Sequence, residues 1–367
     1  MGYSGKGSEG KGERAAGKEI KYSRDESVQM SSENIAVEVT GKLVTQNEVT
    51  LATGEFDRRA HAMRSYGYPP GQAIRGAFGY LFLAAGLPII KTYEVNAEPV
   101  LYFKDALPYH HRDGGILYPV ITPEKYVNYQ CQECKEVLRY PSFKSVITKT
   151  RLDRDKGVVS MMWRQEGITK RAQFRFKVIV KLKRDGEENL AALMAVLKFV
   201  EENGLAIGKR SMKGSGRLRL ENLSYKLVTR DDIEDRAAEL RDKEVIKVRL
   251  LSEAIVREKG TNLTIIRGKN FLWSVKNAAK NFNYDYKNFS AEVKLIDYVT
   301  TRPYPVGFLD IKLAGGRPEI AIPKGSTFTY KVERGAPAEF YTALALLERC
   351  HGIGNRASSG KGEIIVE

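Results

Sequence analysis

"IGKRSMKGSGRLRL" (Ile207–Leu220) and "IGNRASSGKGEIIV" (Ile353–Val366) align without a gap, 146 residues apart. Ile, Gly, Arg, Gly and Gly coincide, and both stretches end on apolar residues. The flanks repeat as well. "NLAALMAVLKFVEENG" precedes the first copy, apolar at helical spacing, with Gly204 placed to close the helix. "APAEFYTALALLERCHG" precedes the second and closes at Gly352. Upstream lie the alternating stretches "QFRFKVIVKL" and "STFTYKV", which predict strands. Each half therefore ends in strand, helix, glycine loop, strand, the second half of a βαββαβ unit. The expected fold is α+β: two tandem ferredoxin-like (RRM-like) domains with insertions. Residues 1–34, rich in Gly, Ser, Lys and Glu, read as a flexible tail. Residues 35–235 form the first domain, with an insertion around 100–165, and residues 236–367 the second.

The formal net charge is +15. The tail carries equal numbers of acids and bases, so the whole excess lies in the folded body. Such a body suits a polyanion, nucleic acid above all. The longest apolar stretch, "AFGYLFLAAGLPII", is too short to span a bilayer, and the N-terminus shows no apolar signal core. We expect a soluble cytoplasmic protein with no membrane partner. Three cysteines in a chain this long are no secreted disulfide framework.

The terminal loop is not a nucleotide-binding P-loop. Five residues separate Gly354 from Gly360, one too many, and Gly362 stands where a magnesium-binding hydroxyl belongs. The helix also comes before the loop, so no helix N-terminus faces a phosphate. Two readings remain for Gly208, Gly214, Gly216, Gly354, Gly360 and Gly362. They let backbone N–H groups approach an RNA backbone, helped by Lys209, Arg210, Lys213, Arg217, Asn355, Arg356 and Lys361, or they are structural turns. The strand 173–184 is equally open. Phe174, Phe176, Val178, Val180 and Leu182 share one face. Arg175, Lys177, Lys181 and Lys183 share the other, broken by Ile179. That basic face meets phosphates or solvent.

Paired glycine loops of this form resemble those of RAMP proteins, the RNA-binding subunits of CRISPR effector complexes. "YGYPPGQAIRGAFGYLF" (66–82) is similar to their proline-glycine turn followed by an Arg-Gly helix, which adds Arg75. "TKTRLDRDKGVV" (148–159) is similar to another of their segments and adds Arg151 and Arg154. "VGFLDIKLAGGRPEIAIPKGSTFTYKV" (306–332) resembles the Cas5-like subunit of type III-D. The resemblance implies a subunit that grips the 5′ tag of a guide RNA. It would sit beside a large polymerase-like subunit and backbone RAMP subunits, with target RNA in the assembled complex. Stacking rings would come from Tyr66, Tyr68 and Trp163.

Two catalytic alternatives stay open. Asp57 lies thirteen residues before Pro70, similar to the position of the aspartate with which backbone subunits cut target RNA; its simpler role is an ion pair with a neighbouring arginine. His110 and His111 would serve a stand-alone RNA-processing endonuclease as general acid and base. "CQEC" gives Cys131 and Cys134 zinc-knuckle spacing, with His110 and His111 upstream to complete a Cys₂His₂ set. Two free thiols or a local disulfide are the alternatives. RNA binding itself requires no cofactor.

Overall fold

A computed structural model describes residues 33–57, 62–93, 98–138, 144–153, 158–182, 186–208, 215–241, 243–282, 288–306, 319–333 and 335–367. The tail through residue 32 lies outside them.

The first sheet runs Leu205–Ala206, Arg217–Thr229, Asn34–Thr45, Gln173–Lys181, Leu101–Phe103, every neighbour antiparallel. Its last strand opens the stretch expected to be an insertion, so the excursion from the sheet begins after Phe103. Helices Gly71–Ala84 and Gly186–Asn203 pack on one face. Glu187 and Glu188 sit in the second helix's first turn, where the dipole favours acids. The period of two in Gln173–Lys181 delivers Phe174, Phe176, Val178 and Val180 to this core. Phe78 of the first helix stacks on Phe176 with ring centroids 5.9 Å apart.

The second sheet runs Val293–Val299, Thr327–Val332, Val245–Leu250, Ile364–Val366, again all antiparallel. Helices Gly268–Phe282 and Ala338–Leu346 belong to its core, where Phe271 stacks on Tyr330 at 4.3 Å. The latter helix widens into a π turn at Leu347–His351 before the glycine loop. Helix Arg230–Arg241 connects the sheets. Its Arg236 donates to the Glu348 carboxylate at 2.8 Å and to the Val366 carbonyl at 2.7 Å. Among the described residues no helix is long and apolar enough to cross a membrane.

The basic face of Gln173–Lys181 is largely not a surface. The second half lies against it. Ala36, Tyr102 and Ile179 belong to the core cluster of the second half, and Phe282 stands 5.1 Å from Tyr102. Ile179, the apolar interruption in a basic alternation, is thus a packing contact. Arg175 and Lys181 are buried. This corrects the expectation of an open phosphate-facing strand: most of its length is an internal interface.

The 146-residue repeat holds in three dimensions. In the first copy the Ile207 N–H donates to Gly216 O and the Gly216 N–H to Glu48 O. In the second the Ile353 N–H donates to Gly362 O and the Gly362 N–H to Glu253 O. Gly216 and Gly362 both have φ near +72°, and a Cβ on either would sit 2.0 or 1.9 Å from the isoleucine carbonyl it faces. Replacing Gly362 by Ala is expected to destabilise the chain by about 3 kcal/mol or more, from backbone overlap added to left-handed strain. Gly86 has φ +65° and open space around its missing Cβ. Gly86→Ala should cost only about 1 kcal/mol. Urea unfolding of the two variants checks the contrast.

Candidate nucleic-acid interface

The C-terminal glycine loop plugs into the first half. The helix at Gly71 starts behind Pro70, whose fixed φ suits a helix entry. The Gly71 N–H donates to Asp105 Oδ1 at 2.7 Å, so a distant carboxylate caps the helix. A Cβ on Gly71 would lie 2.8 Å from the Cα of Gly360 and 2.6 Å from Phe103 O. Helix start, edge strand and loop therefore meet at van der Waals limits. Beside them Lys361, 1% exposed, donates to Glu253 Oε2 at 2.7 Å. Tyr68 and Tyr304 donate their hydroxyls to Glu253 Oε1 at 2.8 and 2.7 Å. Burial alone would neutralise both charges. The carboxylates of Glu253 and Asp105 outweigh it and hold Lys361 protonated, above the usual lysine range, while Lys361 and Lys324 hold Glu253 ionised. Burial lifts Asp105 to about 6. Its Oδ2 is buried with no hydrogen-bond partner among the described residues.

A second buried row lies along the shared sheet face. Arg175 donates to Glu363 Oε1 at 2.8 Å. Lys104 donates to His351 O at 2.7 Å, and burial lowers it to about 8. His351 donates Nδ1–H to Gly352 O at 2.7 Å, and its Nε2 lies 3.3 Å from Asn281 Nδ2. Burial lowers this imidazole to about 4, with Lys104 and Lys181 nearby adding to the effect.

Where the second half stops covering the face, a groove of about 310 Å³ opens. Thr40 and Lys42 come from Asn34–Thr45, Arg175 and Lys177 from Gln173–Lys181, and Tyr109 and Ile116 from the excursion after Phe103. Lys177 pairs with Glu38 at 3.1 Å. Lys42 has no carboxylate partner among the described residues and lies 5.3 Å from the Tyr109 ring centroid. A basic floor beside an aromatic wall is what a single-stranded nucleic acid needs: charge for a phosphate and a ring for a base.

Lys177 lines the groove, and Arg175 reaches it from a mostly buried position. Arg217 is exposed at the start of its strand. Arg75 is half-buried, 4.1 Å from the Tyr93 ring centroid. Arg356 is exposed at the loop rim and donates to Glu319 at 2.6 Å; Asn355 beside it is half-buried. Gly354, Gly360 and Gly362 are buried against the protein's own atoms and Lys361 is buried on the Glu253 carboxylate, which corrects their reading as RNA contacts. Gly216 is buried likewise, and Gly208, though exposed, would set a Cβ 2.3 Å from Thr50 O. Tyr68 is a core residue. Arg154, Lys209, Arg210, Lys213 and Gly214 lie outside the described residues, as do the side chains of Asp57, Arg151 and Trp163. Asp57 closes its strand opposite Ala62, and Arg151 stands opposite Met161. Lys42 and Tyr109 escaped sequence reading because neither sits in a motif.

The cysteine pair has company. Ligand atoms of His110, Asp113, Cys131 and Cys134 all lie within 4.8 Å of one another. His110 Nδ1 is 3.0 Å from Asp113 Oδ1, and Cys134 Sγ is 3.5 Å from His110 Nδ1. Thiol and Gly115 N–H donors, Cys134 first, hold Asp113 well below the usual carboxylate range, while the same carboxylate pushes Cys134 up to about 11. His110 is buried within this cluster and His111 points to solvent. Asp113, and not His111, thus stands with His110 and the two thiols, and the cluster encloses His110, which leaves it no open face for an RNA-cleaving base. The signal for Asp113 was its spacing in "HHRDGG", three residues after His110.

No protein-family model and no curated protein matches the chain. Among solved structures it is similar to a Cas6 product complex, at 14% identity and TM-score 0.47 over 90% of this chain and 99% of that one. Thermus thermophilus Cas6 gives 10% identity and TM-score 0.44 over 92% and 100%. A chain of the type III-B Cmr-beta complex bound to cognate target RNA gives 12% identity and TM-score 0.37 over 52% and 98%. Likeness at these levels leaves function to the residues themselves.

Two outcomes follow from the buried charges. Lys361→Met strands Glu253 and is expected to cost about 3–5 kcal/mol, and adding Glu253→Gln should restore much of it; an RNA-contact lysine would instead lose affinity at unchanged stability. His351 takes its proton near pH 6.5 unfolded but only at about 4 folded. Its contribution is thus full above pH 6.5 and lost as pH falls through 4, a change of about 3 kcal/mol. Asp105, raised by folding, slopes the opposite way. The difference between wild-type and His351→Gln stability curves isolates the histidine.

Proposed function

We propose that this chain is an RNA-binding subunit of a type III CRISPR effector, most like the Cas5-like subunit of type III-D. It would hold the 5′ tag of the guide RNA beside the large polymerase-like subunit and the backbone RAMP subunits. Each half is read as a ferredoxin-like unit. In support, each sheet places its strands, counted in βαββαβ order, as fourth, first, third, second, with two helices on the sheet. The first unit is read as residues 35–235 and the second as 236–367.

The observation that carries RNA binding is the groove. It joins Lys42, Arg175, Lys177 and Tyr109 in a chain of net charge +15. The glycine loops act indirectly in this reading. The second copy brings Glu363 to Arg175 and so fixes the guanidinium at the groove's edge. The exposed Arg217 would extend the basic track. Binding by such a groove is electrostatic and stacking in character, with no catalytic group required.

Lys42→Ala is expected to weaken binding of single-stranded guide-tag RNA about 3- to 10-fold and to lower the salt slope by about 0.7. Tyr109→Ala should weaken binding at an unchanged salt slope. Fluorescence anisotropy across a salt series measures both. Unchanged affinity in both variants would remove the groove from the interface, and failure to co-purify with guide RNA and effector subunits would remove the complex.

A further inference from the structure

The excursion after Phe103 has little to hold it. Its three-stranded sheet, Leu117–Ile121, Val127–Cys131 and Val137–Leu138, encloses a core of Leu117, Tyr129 and Cys131. A core of three buried side chains is too small to fix such a segment, and small units of this kind use disulfides or metals instead. Cys131 and Cys134 are not bonded to each other.

Two turns meet at the end of this sheet. The turn 110–114 is closed by Gly114 N–H donating to His110 O, and His110 N–H donates to Gly115 O. The turn 131–136 is closed by Cys131 N–H donating to Glu136 O, and Gln132 N–H ties it to Ile116 O. The turns present one imidazole, one carboxylate and two thiols to a common point. A tetrahedral zinc with ordinary bond lengths sets neighbouring donor atoms about 3.4–3.8 Å apart. The Asp113 carboxylate lies 3.4 Å from Cys131 Sγ, and Cys134 Sγ lies 3.5 Å from His110 Nδ1. The 3.0 Å between Asp113 and His110 would open slightly, and the other donor pairs, all within 4.8 Å, would close on the ion. His110 Nε2, buried and without a hydrogen-bond partner among the described residues, lies 3.6 Å from the Glu136 carboxylate. A small closing of that gap would give a metal-bound imidazole the outer carboxylate that orients it.

We propose that His110, Asp113, Cys131 and Cys134 hold one structural zinc ion that fixes this segment as a wall of the basic groove. Binding forms two Zn–S bonds, one Zn–N and one Zn–O, and releases two thiol protons to solvent. Thiolates select zinc over magnesium or calcium. Tyr109 adjoins His110 in sequence and Ile116 follows the same turn, and both line the groove. The far side of the sheet is anchored by Val120 against Gly325 and by Lys324, 5.4 Å from the Tyr129 ring centroid. The zinc site stands on its own donors, and only the purpose of the wall rests on the RNA reading.

The test uses the full chain purified without chelator. Elemental analysis should find about one zinc per chain, and less than about 0.2 in Asp113→Ala and Cys134→Ser. Cobalt reconstitution of wild-type protein should give tetrahedral bands with thiolate charge transfer, which keeps the test valid if a variant misfolds. Chelation should raise amide exchange across 108–138 about tenfold or more while 173–181 stays protected. No zinc in wild-type protein, zinc retained in both variants, or a Cys131–Cys134 disulfide would each overturn the site. If zinc leaves and exchange rises but RNA affinity is unchanged, the zinc site stands and the RNA reading of the groove falls.

Discussion

The arrangement depends on one close approach: the Cα of Gly360 against Gly71, with Lys361 locked to Glu253 beside it. A side chain at either glycine would push the second half off the first. A buried ion pair is expensive to desolvate, and this one is offset by three converging donors on Glu253 and by the second carboxylate, Asp105. Lys361 and Glu253 belong to the same half, and the Tyr68 hydroxyl, donated to Glu253 from the first half, carries the link across. A hydrophobic contact tolerates sliding, but a tyrosine hydroxyl that must meet one buried carboxylate does not.

The shared sheet face shows the same division of labour. Apolar residues at Ala36, Tyr102 and Ile179 supply the burial, while Arg175–Glu363 and the Lys104 hydrogen bond to His351 O set the register. The groove exists because this covering stops short. Residues such as Arg175 therefore have a structural side and a solvent side. One strand serves two helices, a second domain-sized unit and a surface cleft.

The fold was legible because its signals are local. Alternation in "QFRFKVIVKL", helical spacing in "NLAALMAVLKFVEENG" and the paired glycines need only their own neighbours to be read. The three-residue strand Leu101–Phe103 was not legible, since a strand so short takes its place from Val178, Ile179 and Val180 across the sheet. The site was legible in kind and misread in detail. A run of arginines and lysines states a charge, not its partner. Glu253 stands in no motif, and Glu319 and Glu363 sit within quoted stretches without any mark of a partner, yet they decide that Lys361, Arg356 and Arg175 bond inward. Asp113 was hidden for a similar reason: a carboxylate beside a histidine is ordinary until a distant cysteine turn arrives at it.

The partner of Arg175 is 188 residues further along the chain. During synthesis the first sheet can form with its helices on one side long before Glu363 exists. Its other side then presents Tyr102, Ile179, Lys104 and Arg175 to water and to whatever else is near. A half-made molecule thus exposes a face that mixes apolar and cationic groups, the composition that non-specific RNA and chaperones both find attractive. Closure by the last glycine loop withdraws that face, so arrival of the distal strand is the event that converts an indiscriminate surface into a bounded cleft.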